Sequence, residues 1–459
     1  MTMSYGRGAS GVIRCPARLR SAAAMGALAL AGTGAAEPFN AEIERMLETS
    51  PGIRAAVREL EAARHDVGSA RAAFLPAVSL RADAGPERLD TPTSRRITGK
   101  VGGSSLVRRT ADLTVSQLLF DGSHTAANLA AARIAERLAA LNLRLATQNY
   151  LFDASRAYLD VLRQVELLSL ANDNMAVIQT QMGLENARVA RGSGVAVDVL
   201  LAKTRLQLAT ERAVAFEGAL AAARARYLQV FGQSPTVATM VRPQLPESLV
   251  PETLAEAIDM AVEGNLNLAI AANEVQLARQ NEVMAAADRL PRLDLVASYR
   301  FEDDFSALPG RGDGYSLLVT VTWDLFSGFS NRSRVSAAAA RGEQSRMSAE
   351  DIRRRVTEGV TTAFENLNTA RRRATMLQNA SNIAEEVFDA RVRLREAGSD
   401  TALNVLDARS ETFRARINLA DAEFDADVAL LQLLLSAGSL DATALGAALP
   451  EELAQALAP

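Results

Sequence analysis

Tyr315-Ser316-Leu317-Leu318-Val319-Thr320-Val321-Thr322-Trp323-Asp324 alternates between two surfaces. Tyr315, Leu317, Val319, Val321 and Trp323 fall on one face; Ser316, Leu318, Thr320, Thr322 and Asp324 fall on the other. Successive side chains of a strand point to opposite sides, so this segment reads as a strand with one apolar and one largely polar face. Leu293, Leu295, Ala297, Tyr299 and Phe301 repeat the pattern against Arg292, Asp294, Val296, Ser298 and Arg300. Two earlier segments do the same: Val78, Leu80, Ala82 and Ala84 against Ser79, Arg81 and Asp83, then Ala111, Leu113 and Val115 against Asp112, Thr114 and Ser116. The expected strands lie at about 76–86, 109–119, 291–302 and 314–325.

Alternation over about 10 residues with aromatic ends fits a strand that faces lipid outside and water inside a barrel. A water-soluble sandwich with one buried face shows the same alternation. Four strands cannot close a barrel, which needs about eight or more. An open sheet in lipid would leave its edge groups unpaired. Membrane strands in this chain therefore require several chains to share one barrel, and three copies supply twelve. Tyr299, Phe301, Tyr315 and Trp323, the only tryptophan, are the candidate interface aromatics.

The strands belong to a duplicated unit. Leu118-Leu119-Phe120-Asp121-Gly122 recurs as Asp324-Leu325-Phe326-Ser327-Gly328 at an offset of 206. At the same offset Gly192 meets Gly398, Val199-Leu200 meets Val405-Leu406, and Gly232 meets Gly438. Upstream, Arg71–Leu80 matches Ala286–Leu295 at an offset of 215, so the second copy has a loop nine residues shorter. The organisation expected is a first repeat over 37–232, a linker or irregular layer with Pro235, Pro243, Pro246 and Pro251 over 233–252, a second repeat over 253–438, and a tail over 439–459. Ser123–Ala190 and Phe329–Ala397 contain no proline and read as helices on the order of 100 Å long at ~1.5 Å per residue. Isolated helices of that length need coiled-coil-like partners. The shorter helices can stack end to end along them. A cytoskeletal rod would account for the helices but not for the strands.

Residues 1–36 contain no Asp or Glu. Arg7, Arg14, Arg18 and Arg20 precede an apolar stretch from Ala22 to Ala31 and the small residues Gly32 to Ala36, the pattern of a cleaved secretory signal. The only cysteine, Cys15, lies inside it, so the mature chain has no thiol and its formal charge falls from −4 to −8. The chain of 459 residues is 48% hydrophobic and 23% charged. It holds no apolar run of about 20 residues beyond the N-terminus, and no basic block to serve a nucleic-acid groove. His65 and His124 are far apart, and no nucleophile elbow or catalytic Cys/His pattern occurs, so neither an enzyme nor a metal or cofactor site is expected. Pro86–Arg108 is polar and reads as an extracellular loop.

With the duplicated helix–strand–strand–helix unit, Phe74-Leu75-Pro76 entering a strand, the two Phe-centred motifs and the turn Ala397-Gly398-Ser399-Asp400-Thr401-Ala402-Leu403-Asn404-Val405-Leu406-Asp407-Ala408, the chain resembles the TolC family of outer-membrane efflux proteins over about residues 39–440. The resemblance implies a mixed, mainly α fold: a homotrimer with a 12-stranded outer-membrane β-barrel continuous with a long periplasmic α-helical barrel. It implies an exit duct of a tripartite efflux or type I secretion system, with outer-membrane lipid around the barrel. A periplasmic membrane-fusion adaptor and an inner-membrane pump of RND or ABC type are the implied partners. The alternative is an exported periplasmic coiled-coil adaptor or structural protein. Gly192, Gly194 and Gly398 would form the periplasmic tip turns and adaptor contact. Pore constriction and gating would fall to Asp198, Arg395, Asp400, Asn404 and Asp407, with an Arg395–Asp198 link in the closed state and an Asp407 ring, joined by Asp400, that favours cations. Solvated helix-end charges worth under about 1 kcal/mol each are the plain alternative.

Overall fold

The computed structural model describes residues 39–99, 101–193 and 195–457. The expected export signal over 1–36 lies outside the described residues. In the first repeat, helices α1 (Phe39–Thr49) and α2 (Pro51–Ala72) lead into strand β1 (Ala77–Leu89). A short helix α3 (Pro92–Thr98) separates β1 from β2 (Ser104–Phe120). Then come α4 (His124–Ala190) and α5 (Ala196–Phe231). The second repeat runs α6 (Leu254–Gly264), α7 (Leu266–Ala287), β3 (Arg292–Asp303), β4 (Arg311–Thr322), α8 (Ser330–Glu396) and α9 (Ala402–Ala437), and α10 (Glu451–Leu457) follows in the tail. The paired helices match in length: 67 residues for α4 and α8, 36 for α5 and α9, 22 for α2 and α7, and 11 for α1 and α6.

The long helices do not stand alone. Helix α4 packs against α5 and α2, and α8 packs against α9 and α7, so each long helix carries two shorter ones along its length. Helix α4 also packs against α7 and α9, joining the repeats. The apolar core is concentrated at mid-length rather than spread along the coils. It joins Leu143, Leu151, Tyr158 and Leu159 of α4 to Tyr227 and Phe231 of α5, Val360 and Leu367 of α8, and Leu430 to Leu434 of α9. Helices α1 and α6 supply Ile43, Met46, Ala257 and Ala261 to the same cluster.

The segment between the repeats is an irregular layer on this core. It contains two 3-10 turns, at Val237–Thr239 and Glu247–Leu249. The Tyr158 hydroxyl donates to the Val241 carbonyl and accepts from the Val241 amide, each at 3.0 Å, and Phe39 meets the Tyr158 ring edge-on at 4.9 Å. The tail also docks here. Leu440, Ala442, Leu445 and Leu453 are buried, and Arg64 donates to the Ala456 carbonyl at 2.9 Å.

The four strands form one antiparallel sheet in the order β1-β2-β3-β4. Pairing carries β1 to Leu89 and starts β2 at Ser104, so both ends of the polar stretch expected as a loop are paired strand. Arg88 and Ser105 stand on the otherwise apolar face, and Leu89 and Leu106 on the polar one, which removes the apolar period. The remaining connection holds α3, capped by reciprocal bonds between Thr91 and Ser94. Strand β4 ends at Thr322, before the expected residue 325.

Candidate functional site

Two places concentrate charge without being core: the helix tips and the distal half of the sheet. At the tips, α4 gives way to α5 and α8 to α9 through turns with Gly192 and Gly398 each at φ +78°. The Ser193 amide donates to the Arg188 carbonyl at 3.0 Å and the Ser399 amide to the Leu394 carbonyl at 2.9 Å, closing both helix ends in the same way. A left-handed residue is required there, and glycine takes that conformation without a Cβ clash. Gly194 lies outside the described residues.

The two turns differ in how the next helix begins. Helix α9 is capped: the Thr401 hydroxyl accepts from the Asn404 amide at 3.2 Å. Helix α5 follows Val195, which gives it no side-chain cap. Asp400 is the hub of the second turn. Its carboxylate accepts from the Asn404 side chain, from the Thr401 amide at 2.8 Å and from Arg391 at 3.1 Å. The Asn404 bond above all, then the Thr401 amide and Arg391, hold the Asp400 carboxyl below its ordinary range. Asn404 is thus engaged in its own turn.

Arg395 was expected to meet Asp198. It meets Glu185 on α4 instead, and donates to the Asp400 carbonyl at 3.1 Å. Asp198 is half-buried, and none of the ion pairs among the described residues joins it to Arg395. The reason is position: Asp198 begins α5, whereas Glu185 lies on the last turns of α4, buried beside α8's end. Asp407 pairs with Arg205 of α5 at 2.7 Å and is half-exposed. Glu185, Arg205 and Arg391 were absent from the sequence-derived set. Glu185 carried one signal, since an acid near a helix C-terminus opposes the helix dipole and needs another partner.

The register sorts the sheet into transverse rows. Leu80, Leu113, Tyr299 and Tyr315 form one row, and Val78, Val115, Ala297 and Leu317 form the next. Between them on the opposite face run Ser79, Thr114, Ser298 and Ser316, and beyond these Arg81, Asp112 and Arg300. One face is therefore apolar and the other largely polar over the rows from Leu80 down to Val321, whereas the distal end carries charge on both faces, with Arg109, Asp303, Arg311 and Asp313 on the side of Tyr299. Leu80, Tyr315, Leu317, Val319 and Val321 are each more than half exposed in the single chain. Phe301 is opposite Asp313 one row beyond the Tyr299–Tyr315 pair. Trp323 lies just past β4 and donates to the Arg289 carbonyl at 3.1 Å. Strands β1 and β4 each have one unpaired edge.

Among the described residues no helix is long and apolar enough to cross a membrane, and no group of three or more His, Cys, Asp or Glu side chains is placed to hold a metal ion.

The sequence profile described as outer membrane efflux protein matches residues 43–233 and 257–439. The chain is 27% identical over 383 residues to the outer membrane efflux protein BepC of Brucella suis, covering 83% of this chain and 81% of that one. It is 25% identical over 414 residues to the alkaline protease secretion protein AprF of Pseudomonas aeruginosa, covering 86% and 83%. The crystal structure of the outer membrane protein VceC from Vibrio cholerae has the same fold, with a TM-score of 0.76 at 18% identity over 87% of this chain and 96% of that one. These matches span helices and strands alike, and they support the channel reading over a periplasmic adaptor or structural protein. The chain belongs to the outer membrane efflux protein family.

Proposed function

We propose that three copies of this chain form the exit duct of a tripartite efflux or type I secretion system. The observation that carries this reading is the open sheet: an apolar face, a polar face and two unpaired edges, continuous with helix pairs on the order of 100 Å long. Such a sheet satisfies its backbone in lipid only by joining its edges to other copies, and three copies give twelve strands. The apolar rows then face lipid, the polar rows line a water-filled lumen, and Tyr299, Phe301, Tyr315 and Trp323 serve the interfaces. Residues 1–36 direct export and are removed. The duct carries out no chemistry; a periplasmic membrane-fusion adaptor and an inner-membrane pump of RND or ABC type deliver the cargo. BepC, named for efflux, and AprF, named for protease secretion, leave both cargo classes in view.

The helix tips are the periplasmic end in this reading, with the turns at Gly192, Gly194 and Gly398 meeting the adaptor. Glu185–Arg395 and Arg205–Asp407 tie the second helix pair to the first and hold the entrance narrow. Asp198, Asp400, Asn404 and Asp407 then set the charge of the opening. Unchanged cation preference in an Asp400→Ala, Asp407→Ala channel removes this charge assignment.

The duct itself is tested by the native mass of the mature protein extracted with detergent from an outer-membrane fraction. A particle of three chains supports the shared barrel. A monomer released without detergent overturns it.

A further inference from the structure

The connection between β3 and β4 does not project away from the sheet. Phe305–Ala307 folds back over the distal ends of β1 and β2. The side on which it rests is settled by parity. The Ala307 amide donates to the Glu87 carboxylate at 3.2 Å, and the Arg108 guanidinium sits over the Phe305 ring at 4.8 Å. Glu87 and Arg108 share the face of Arg81, Asp83, Thr110 and Asp112, opposite to Leu80 and Leu113. Arg108 also pairs with Asp83 at 3.2 Å and Glu87 at 3.6 Å, and Thr110 donates to Asp83 at 2.7 Å. Ala307 is fully buried, and Thr110 beneath the segment is buried too, although both lie at the free end of an open sheet. The segment therefore covers the polar face.

Its backbone is costly. Asp304, Ser306 and Ala307 have φ of 52°, 59° and 53°, left-handed values that L-residues with a Cβ rarely adopt. The conformation is closed by the Asp304 amide on the Gly310 carbonyl at 2.9 Å and the Gly310 amide on the Asp304 carboxylate at 3.1 Å. Three strained residues in one connection persist only where surrounding contacts over-determine them. Those contacts are Glu87 and Arg108.

We propose that Asp304–Gly310 is a strap across the lumen side of the barrel's outer mouth, tethered by Glu87 and Arg108, and that it sets a size limit distinct from that of the helix tips. This rests on the outer-membrane reading above, in which the polar face is the lumen. In a trimer three straps converge from the rim, each above a charged row of Arg81, Asp112 and Arg300. The strap is specificity-determining for what passes the mouth.

The mature chain has no cysteine, so engineered thiols report access without background. Ser79→Cys places one on the polar face two rows below Asp83, and Arg96→Cys places one on exposed α3 outside the mouth. Full-length protein in intact cells is treated with a bulky polyethylene-glycol maleimide or a small maleimide. Labelling at Arg96→Cys by both reagents reports that the mouth faces outward. In that background Ser79→Cys reacts readily with the small reagent and slowly with the bulky one. Adding Glu87→Ala and Phe305→Ala raises the bulky-reagent rate about tenfold, with the small-reagent rate little changed. An unchanged bulky-reagent rate, with Arg96→Cys labelled, overturns the strap alone. No labelling at Arg96→Cys overturns the outer-membrane placement and the strap with it.

Discussion

Helices α4 and α8 hold equivalent places in the two repeats and have the same length, yet they meet different surroundings. Ala154, Ala157 and Val161 of α4 correspond to Val360, Ala363 and Leu367 of α8, and all six are buried. That shared stripe is the seam on which each long helix receives its neighbours. Outside it the helices diverge. Leu151, Tyr158 and Leu159 are buried to within 1% exposure, whereas their counterparts are Thr357, Phe364 and Glu365, and Glu365 is exposed. Helix α4 lies between α2, α5, α7 and α9; α8 is packed chiefly by α7 and α9. The duplication thus copies the backbone plan and the seam, while the second helix keeps a polar outer surface rich in arginine. A surface of that kind suits water or another chain rather than a core.

The largest expected effect breaks this asymmetry directly. Leu159→Ala removes a fully buried side chain at the centre of the core and costs about 2–5 kcal/mol. Glu365→Ala at the equivalent place changes stability by within about 0.5 kcal/mol. Denaturant midpoints of the two variants in detergent check the contrast, and equal losses would mean that Glu365 is buried against another copy.

A second pair sharpens it at the ends of α5 and α9. Gly232 and Gly438 close the two helices at φ +72° and +79°. A Cβ on Gly232 meets open space, so Gly232→Ala bears only the left-handed strain of about 1–2 kcal/mol. A Cβ on Gly438 comes within 2.8 Å of the backbone of Gly264 and Asn265. Gly438→Ala therefore destabilises more than Gly232→Ala, and it loosens α6 as well. Melting curves of the two variants, measured side by side, give the difference.

At the tips, Arg395→Ala leaves Glu185 nearly buried with only Arg188 at 3.9 Å, and it unties α8 from α4. A loss of about 1–3 kcal/mol confined to the tip is expected, read as faster hydrogen exchange in the last turns of α4 and α8. Single-channel conductance rises in the same variant. Arg205→Ala acts in the same direction but less, because its partner Asp407 is half-exposed.

The smallest effect has opposite signs in two regions. Asp400 has its pKa lowered by Asn404, Thr401 and Arg391, so it adds stability above its ordinary value of 3.8 that is lost as pH falls through the lower folded value. Asp421 and Asp427, near the core on α9, have theirs raised by burial, against the pull of Arg163 and Arg242 respectively. A raised carboxylate adds stability below 3.8 that is lost as pH rises through the folded value. Acidification from about pH 7 to about pH 3 therefore loosens the second tip turn while favouring the protonated core carboxylates. Exchange rates corrected for intrinsic pH dependence, compared at Thr401 and at Asp427, check both signs.

Much of this was legible along the chain. Offsets of 206 and 215 set two copies of one unit, period-two alternation marked the strands, and proline-free runs marked helices whose ends agree to within a residue or two. The tip turns were legible because only a left-handed residue closes them. What was not legible depended on pairing across distance. Asp198 and Glu185 both lie near the first turn, and sequence spacing cannot tell which one an arginine some 200 residues away will reach. The docking of the tail was hidden for a similar reason: Leu440 and Leu445 lie outside any helix or strand, and the short α10 finds its place only by packing against α2 and α4.

The sequence by itself determined the elements, their duplication, and the two-faced sheet that one chain cannot close. Local periodicity and turn chemistry act over a few residues, so they are written in the order of the chain. Only the tertiary structure decided that α4 is the central helix and α8 the outer one, that Arg395 takes Glu185, and that the β3–β4 connection turns inward over Glu87 and Arg108. Those are choices among partners of similar chemistry, and packing settles them by which groups three-dimensional proximity allows to meet.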